Sequence, residues 1–191
     1  MKVKKINSIL YFALFVMIAC NTSKDDANKP TANQQNWKYQ FDKKLPLLGH
    51  RNWILIVDKA FPEQNSAGME YINTDEQLLP TLEYVLGEIN KSSHVKPIIY
   101  QDKELSFITE AQSKGVTQFT EASKKLFANQ PVQTMLHDSV FMKLDKESKL
   151  FKVLVIKTNE TIPYSSVFLQ LDCTYWNDEK EVMLRMNMKQ K

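Results

Sequence analysis

Residues 47–62, LLGHRNWILIVDKAFP, constrain the fold more tightly than any other stretch of this chain. At their centre, residues 53–57 are large, apolar and unbroken by any polar side chain. A short apolar run with polar borders is how a strand buried on both faces reads, as in the middle of a parallel sheet. Gly49 and His50 precede it, Asp58 follows it, and Pro62 stops the chain soon after. In open α/β sheets, ligands collect at the carboxyl ends of the strands, so Asp58 stands where chemistry concentrates. His50 is the nearby side chain suited to giving and taking protons near neutral pH. The spacing alone does not say how a residue before the strand joins one after it in a single site.

The rest of the chain alternates strand and helix signals. Residues 63–74 are polar and turn-like, with Gly68 available for an unusual backbone angle. Over 75–89, Leu78, Leu82, Val85, Leu86 and Ile89 recur at helical spacing; Asp75 suits the N-cap and Pro80 the first turn. Residues 97–100 read as a second strand. Leu105, Ile108 and Ala111 predict a helix stopped by Gly115, and Phe119, Ala122 and Leu126 predict another. Residues 131–136 fit a short strand delivering His137, and 139–150 loosely fit a helical face. Strands follow at 152–157 and 167–171, joined by the polar loop 158–166, TNETIPYSS. Val182, Leu184 and Met186 alternate with Met183, Arg185 and Asn187, which suggests an edge strand with one wet face. This alternation favours an α/β layered domain, and 191 residues leave room for one.

Charge and leader narrow the partners. The net charge of +3 comes from Lys2, Lys4 and Lys5; the remaining basic residues balance the 22 acidic ones. No basic stripe is left to neutralise phosphates, which argues against nucleic acid. Those lysines precede the apolar segment 9–19, too short for a mature membrane span but the length of a signal-peptide core. Residues 17–20, MIAC, resemble a bacterial lipobox, which implies cleavage before Cys20 and lipidation of its sulfur. Residues 1–19 are then a lipoprotein signal peptide, 20–35 a flexible tether and 36–191 the folded domain. Lys24-Asp25-Asp26 resembles the acidic export signal of surface lipoproteins in Bacteroidetes-type bacteria. The expected location is the cell envelope, as a lipid-anchored protein of the outer membrane, with surface exposure an open alternative. Cys173 is then the sole remaining thiol and reads as a small core residue. No Cys/His spacing resembles a metal site, and four glycines give little scope for a phosphate loop.

Four polar groups fall at strand ends or in adjoining loops: His50, Asp58, His137 and Tyr164. Without a nucleophilic Ser or Cys among them, they suit proton transfer better than acyl transfer. Taken singly, each has an ordinary structural role as a cap, an exposed side chain or a packing partner.

Motifs at both ends of the domain change that balance. LLGHRNWILIVDKAFP resembles the opening of the RbsD/FucU family, the D-ribose pyranases and L-fucose mutarotases, with His50 and Asp58 at the family's eight-residue interval. Residues 155–166, VIKTNETIPYSS, resemble the family's VIR-x-GE-x-x-PYAN, with Glu160, Pro163 and Tyr164 in register. Residues 133–141, QTMLHDSVF, match the segment that carries a His before an acidic residue, and LLPTLEYVLGEI resembles a family helix. The resemblance spans about 41–174.

It implies a three-layer α/β/α domain with a mostly parallel or mixed sheet, and ring-like homo-oligomers with sites near subunit contacts. It also implies catalysis without metal or cofactor on reducing monosaccharides, ribose- or fucose-like, interconverted between anomers or ring forms. Carried over, His50 is the proton donor, Asp58 and His137 hold sugar hydroxyls, and Tyr164 completes the pocket. Ser166, the fourth expected sugar-binding position, replaces the family's Asn, so a two-ended amide becomes a single hydroxyl, a difference on the order of 1–3 kcal/mol if one buried hydrogen bond is lost. Lys157 replaces an arginine, and 59–61 replace a smaller turn. Export is a further departure, because the familiar members are cytoplasmic. The leading expectation is a lipid-anchored mutarotase or pyranase. The alternative is a non-catalytic monosaccharide-binding lipoprotein serving glycan uptake; an envelope protein using the fold only for assembly ranks third.

Overall fold

The computed structural model describes residues 36–127 and 130–189. The expected leader, Cys20 and the tether lie outside the described residues. The run read as a buried strand is β1, Trp53–Val57, and all five of its residues are buried. Ile54 and Ile56 face one apolar cluster while Trp53, Leu55 and Val57 face another, so the strand divides two cores. That is why its sequence shows no polar alternation.

Around it lies a mixed six-stranded sheet, ordered β2-β5-β1-β6-β3-β4. The other strands are β2 Met69–Asn73, β3 Val95–Asp102, β4 Val132–Met135, β5 Val153–Lys157 and β6 Val167–Cys173. Strands β1 to β5 run in one direction; β6 is antiparallel between β1 and β3. Helices α1 (Trp37–Lys44), α2 (Leu78–Lys91) and α3 (Val116–Phe127) pack their apolar faces on one side. Helix α4 (His137–Glu147) covers the other with Val140 and Leu144. These are the three layers expected. No helix among the described residues is long and apolar enough to cross a membrane.

Helix α2 buries the Leu78, Leu82, Val85, Leu86 and Ile89 stripe, with Pro80 in its first turn, where a missing N–H costs little. Its N-cap is Gln77, not Asp75. Four further expectations are corrected. The turn-like 63–74 contains β2, an edge strand paired with β5 from Met69↔Val153 to Asn73↔Lys157. Gly68 precedes it because the carbonyls of Ser148 and Phe151 fill the space a side chain would need. The helix expected across 105–111 is only a 3-10 turn, Lys103–Phe107, which buries Leu105. Gly115, at φ +90°, does not end a helix but leads into α3. There Glu110 accepts the N–H groups of Gly115 (2.6 Å) and Thr117 (3.2 Å). The C-terminal edge strand is instead helix α5, Asp178–Lys189, which buries none of its residues. Alternation there meets no sheet edge, while Asp178, Glu179 and Glu181 complement the positive end of a helix dipole.

Candidate functional site

Because β1, β3, β4 and β5 point the same way, their carboxyl ends deliver Asp58, Asp102, His137 and the 158–166 loop to one end of the sheet. A cavity of about 370 Å³ opens there, lined among others by Asp58, Phe61, His137, Phe141, Glu160 and Tyr164. That is the size range of small-molecule sites, roughly 300–1,000 Å³.

Asp58 follows β1 directly. Its Oδ1 accepts the Ala60 N–H at 2.9 Å and its Oδ2 accepts the Ser166 hydroxyl at 2.8 Å. The Asp58 N–H in turn donates to Ser166 Oγ at 3.1 Å. Ser166 is 1% exposed and does not line the cavity. Its hydroxyl is bonded to Asp58 on both sides, accepting from the N–H and donating to the carboxylate. Glu160 is folded back in a similar way, Oε1 accepting the N–H groups of Thr161 (2.9 Å) and Ile162 (3.0 Å). This ties down the loop that presents Tyr164.

His137 is the first residue of α4, and two carboxylates hold it. Glu104 accepts its backbone N–H on both oxygens, at 3.1 Å each, which supplies the cap that Leu136 cannot. Its ring Nδ1 lies 2.8 Å from Asp102 Oδ2. Asp102 ends β3, and its side chain is fully buried. The second oxygen, Oδ1, has no hydrogen-bond partner among the described residues. Burial pushes the Asp102 carboxyl up to about 6, with the charges of Glu104 and Asp58 adding and the His137 bond opposing. With Nδ1 committed to Asp102, Nε2 is the imidazole nitrogen left for a ligand.

Two aromatic rings fix the imidazole from the sides. Phe141 sits 4.8 Å from it edge-on, one helical turn along α4, and Tyr164 sits 5.1 Å away at 87°. Tyr164 has φ +57°, left-handed backbone that a side chain adopts at a cost of about 1 kcal/mol or more. In this backbone conformation the phenol lies against His137 and lines the cavity. Phe61 stacks on Phe141 at 5.4 Å and gives the cavity an apolar wall.

His50 is elsewhere. It precedes β1, so the strand, roughly 17 Å long, separates it from Asp58. Its side chain is 55% exposed, with Nδ1 3.2 Å from Asp172 Oδ1. The Arg51 Nε–H donates to its Nε2 at 3.3 Å. It lines a second cavity of about 570 Å³ with Arg51, Lys96, Asp172, Cys173 and Trp176 among others. Burial works against the Asp172 carboxyl, but the Cys173 N–H, Lys96 and His50 hold it below the usual carboxylate range. Cys173, read as a core residue, is partly exposed at this cavity.

One chain thus brings Asp58, His137 and Tyr164 together, places Ser166 beneath them, and leaves His50 at the opposite end of the sheet. Sequence reading missed Asp102 and Glu104. The signal for Asp102 was an acidic residue closing the apolar run PIIY, lost by ending that strand at Tyr100. Among the described residues no group of three His, Cys, Asp or Glu side chains is placed to hold a metal ion.

A profile of the RbsD / FucU transport protein family matches residues 39–174. The chain belongs to the RbsD/FucU family. Its fold is similar to that of RbsD from Bacillus subtilis, solved in complex with D-ribose, at a TM-score of 0.51 and 22% identity, covering 69% of this chain and 89% of that one. Looser likenesses are to the fucose mutarotase of Streptococcus pneumoniae in complex with L-fucose (TM-score 0.47, 14% identity, 67% and 87% covered). FucU from Bifidobacterium longum is similar at a TM-score of 0.44 and 16% identity, with 69% and 91% covered. A comparison with curated proteins gives no match. The RbsD/FucU match ends before α5 begins, so that helix is an addition to the family portion.

Proposed function

We propose that this RbsD/FucU member is a monosaccharide mutarotase or pyranase working by general acid–base catalysis. The observation that carries the reading is the His137–Asp102 pair beside Asp58 and Tyr164 in a cavity roomy enough for a small molecule. Opening a sugar ring needs a base for the anomeric hydroxyl and an acid for the ring oxygen. In this reading His137 Nε2 takes the hydroxyl proton while Asp102 steadies the imidazolium that forms. The C1–O5 bond breaks as a proton reaches O5, and the open aldehyde recloses from its other face or through another hydroxyl. Asp58, with both oxygens already oriented, accepts from sugar hydroxyls, and the Tyr164 hydroxyl adds a donor. His137 therefore takes the base role, a fuller part than the hydroxyl contact that the resemblance implied.

His50, protonated at Nε2 once it parts from the Arg51 N–H, serves as the acid from a second copy of the chain, whose β1 start meets the Asp58 end of the first. Supporting this are the shared His50–Asp58 interval of the family motif and the absence of any route between them within one chain. Cys20 carries the lipid that fixes the enzyme to the cell envelope; its support is the leader and MIAC pattern of the sequence. Loss of membrane association in Cys20→Ala checks that part.

The separation of His50 from the dyad also favours a second reading, a sugar-binding protein without turnover. Exchange NMR with ribose, fucose and galactose distinguishes the two. Accelerated anomer or ring-form exchange, lost in His137→Ala, is expected; saturation transfer to bound sugar without exchange leaves the binding reading.

A further inference from the structure

The cavity around His50 is only partly built from the RbsD/FucU portion of the chain. Its other wall is Trp176, Asn177, Asp178 and Glu181, which lie past the family match. Trp176 is 40% exposed, unlike Trp37 and Trp53, which are buried in the two cores. It does not anchor α5 to the sheet, because no residue of that helix is buried. It is nevertheless held in place. The indole Nε1–H donates to Glu181 Oε2 at 2.9 Å, and Glu181 Oε1 is gripped by Arg185 at 2.7 Å. Asn177 Oδ1 accepts the Lys180 N–H at 3.0 Å, and Lys180 Nζ donates to the Tyr175 carbonyl at 2.9 Å, so the turn into the helix is latched twice more. An N–H bond lies in the plane of the ring, so this latch fixes the indole by its edge and spends neither of its faces.

We propose that Trp176 is a sugar-stacking residue of the His50 cavity, holding the apolar C–H face of a pyranose while hydroxyls reach His50 and Asp172. The proposal rests on the monosaccharide reading above and extends it to a part of the chain that the family portion lacks. The charges of the cavity suit a neutral polyol. His50, Arg51 and Lys96 face Asp172, Asp178 and Glu181, and Asp172 is already shared between His50 (3.2 Å) and Lys96 (3.3 Å). An aromatic face ringed by donors and acceptors of both signs fits a ring with one hydrophobic side.

The test measures binding and exchange separately on the full chain with L-fucose, D-galactose and D-ribose. The variants are Trp176→Ala, Trp176→Phe and Glu181→Gln. Trp176→Ala is expected to weaken binding of the pyranose sugars roughly tenfold, with Trp176→Phe close to wild type. Glu181→Gln, which keeps an acceptor for the indole, falls between. In wild type, sugar shifts the Trp176 indole N–H resonance. If the wild type binds sugar without accelerating exchange and Trp176→Ala still weakens binding, the stacking role stands and the catalytic reading falls. Unchanged affinity in Trp176→Ala, or no binding by the wild type, overturns the stacking role.

Discussion

His137 Nδ1 and Asp102 Oδ2 stand 2.8 Å apart at the end of the sheet where the carboxyl ends of β1, β3 and β5 converge. Asp102 is sealed from water, and its second oxygen faces no donor among the described residues. In the proposed function this pair, with one open nitrogen, handles the proton. Replacing either member is expected to lower the rate of sugar exchange by roughly 10²–10⁴-fold. In Asp102→Asn the loss falls on kcat more than on KM, because Asp58 and Tyr164 keep their places. Exchange NMR at several sugar concentrations separates the two parameters.

The same pair is expected to give opposite pH trends to stability and to the proposed activity. An Asp carboxyl titrates near 3.9 in the unfolded chain and at about 6 in the folded one, so the folded state holds the proton more tightly. The contribution of Asp102 is most favourable below about pH 4 and is lost as pH rises through about 6. Exchange by the proposed mechanism needs the ionised carboxylate and is expected to rise through the same window. The difference in unfolding free energy between wild type and Asp102→Asn, followed from pH 4 to pH 8, isolates this group from carboxylates such as Glu70 and Asp172 that shift the other way.

Ser166→Ala removes the hydroxyl that both accepts the Asp58 N–H and donates to its carboxylate. The expected cost is about 1–3 kcal/mol of stability in denaturant unfolding. Sugar affinity is expected to fall as well, although Ser166 itself does not line the cavity.

Gly68→Ala tests the join between β2 and the end of α4. A methyl group there overlaps the carbonyl oxygens of Ser148 and Phe151, which are backbone and cannot rotate away. A loss of roughly 3 kcal/mol or more is expected, read as a drop in the midpoint of thermal unfolding.

Much of this arrangement is written locally in the chain. Residues 53–57 announce a doubly buried strand because both of its faces meet apolar clusters, and the residue after it, Asp58, falls at the site for the same topological reason. What failed was decided by neighbours. Five residues of β2 look like loop because an edge strand has one partner and can carry Glu70 and Asn73. The alternation in 182–187 meant nothing without a sheet edge to join, so helix propensity decided it. Asp102 was hidden by a strand that runs two residues past its apolar part, and its partnership with His137 depends on β3 and β4 lying side by side. The distance of His50 from Asp58 follows from the strand's own length, and no local pattern could have shortened it.

In the proposed enzyme, two half-sites at opposite ends of one sheet are joined between copies. Coexpression of His50→Ala with His137→Ala measures this directly, since each variant alone lacks one half. His50→Ala is expected to fold normally, because its contacts are exposed and worth about 0–1 kcal/mol. Mixed assemblies regain exchange activity in roughly a quarter of their sites if a site takes one half from each of two chains. Mixed assemblies as inactive as their separate parents, or a His50→Ala protein that is fully active alone, contradict the account.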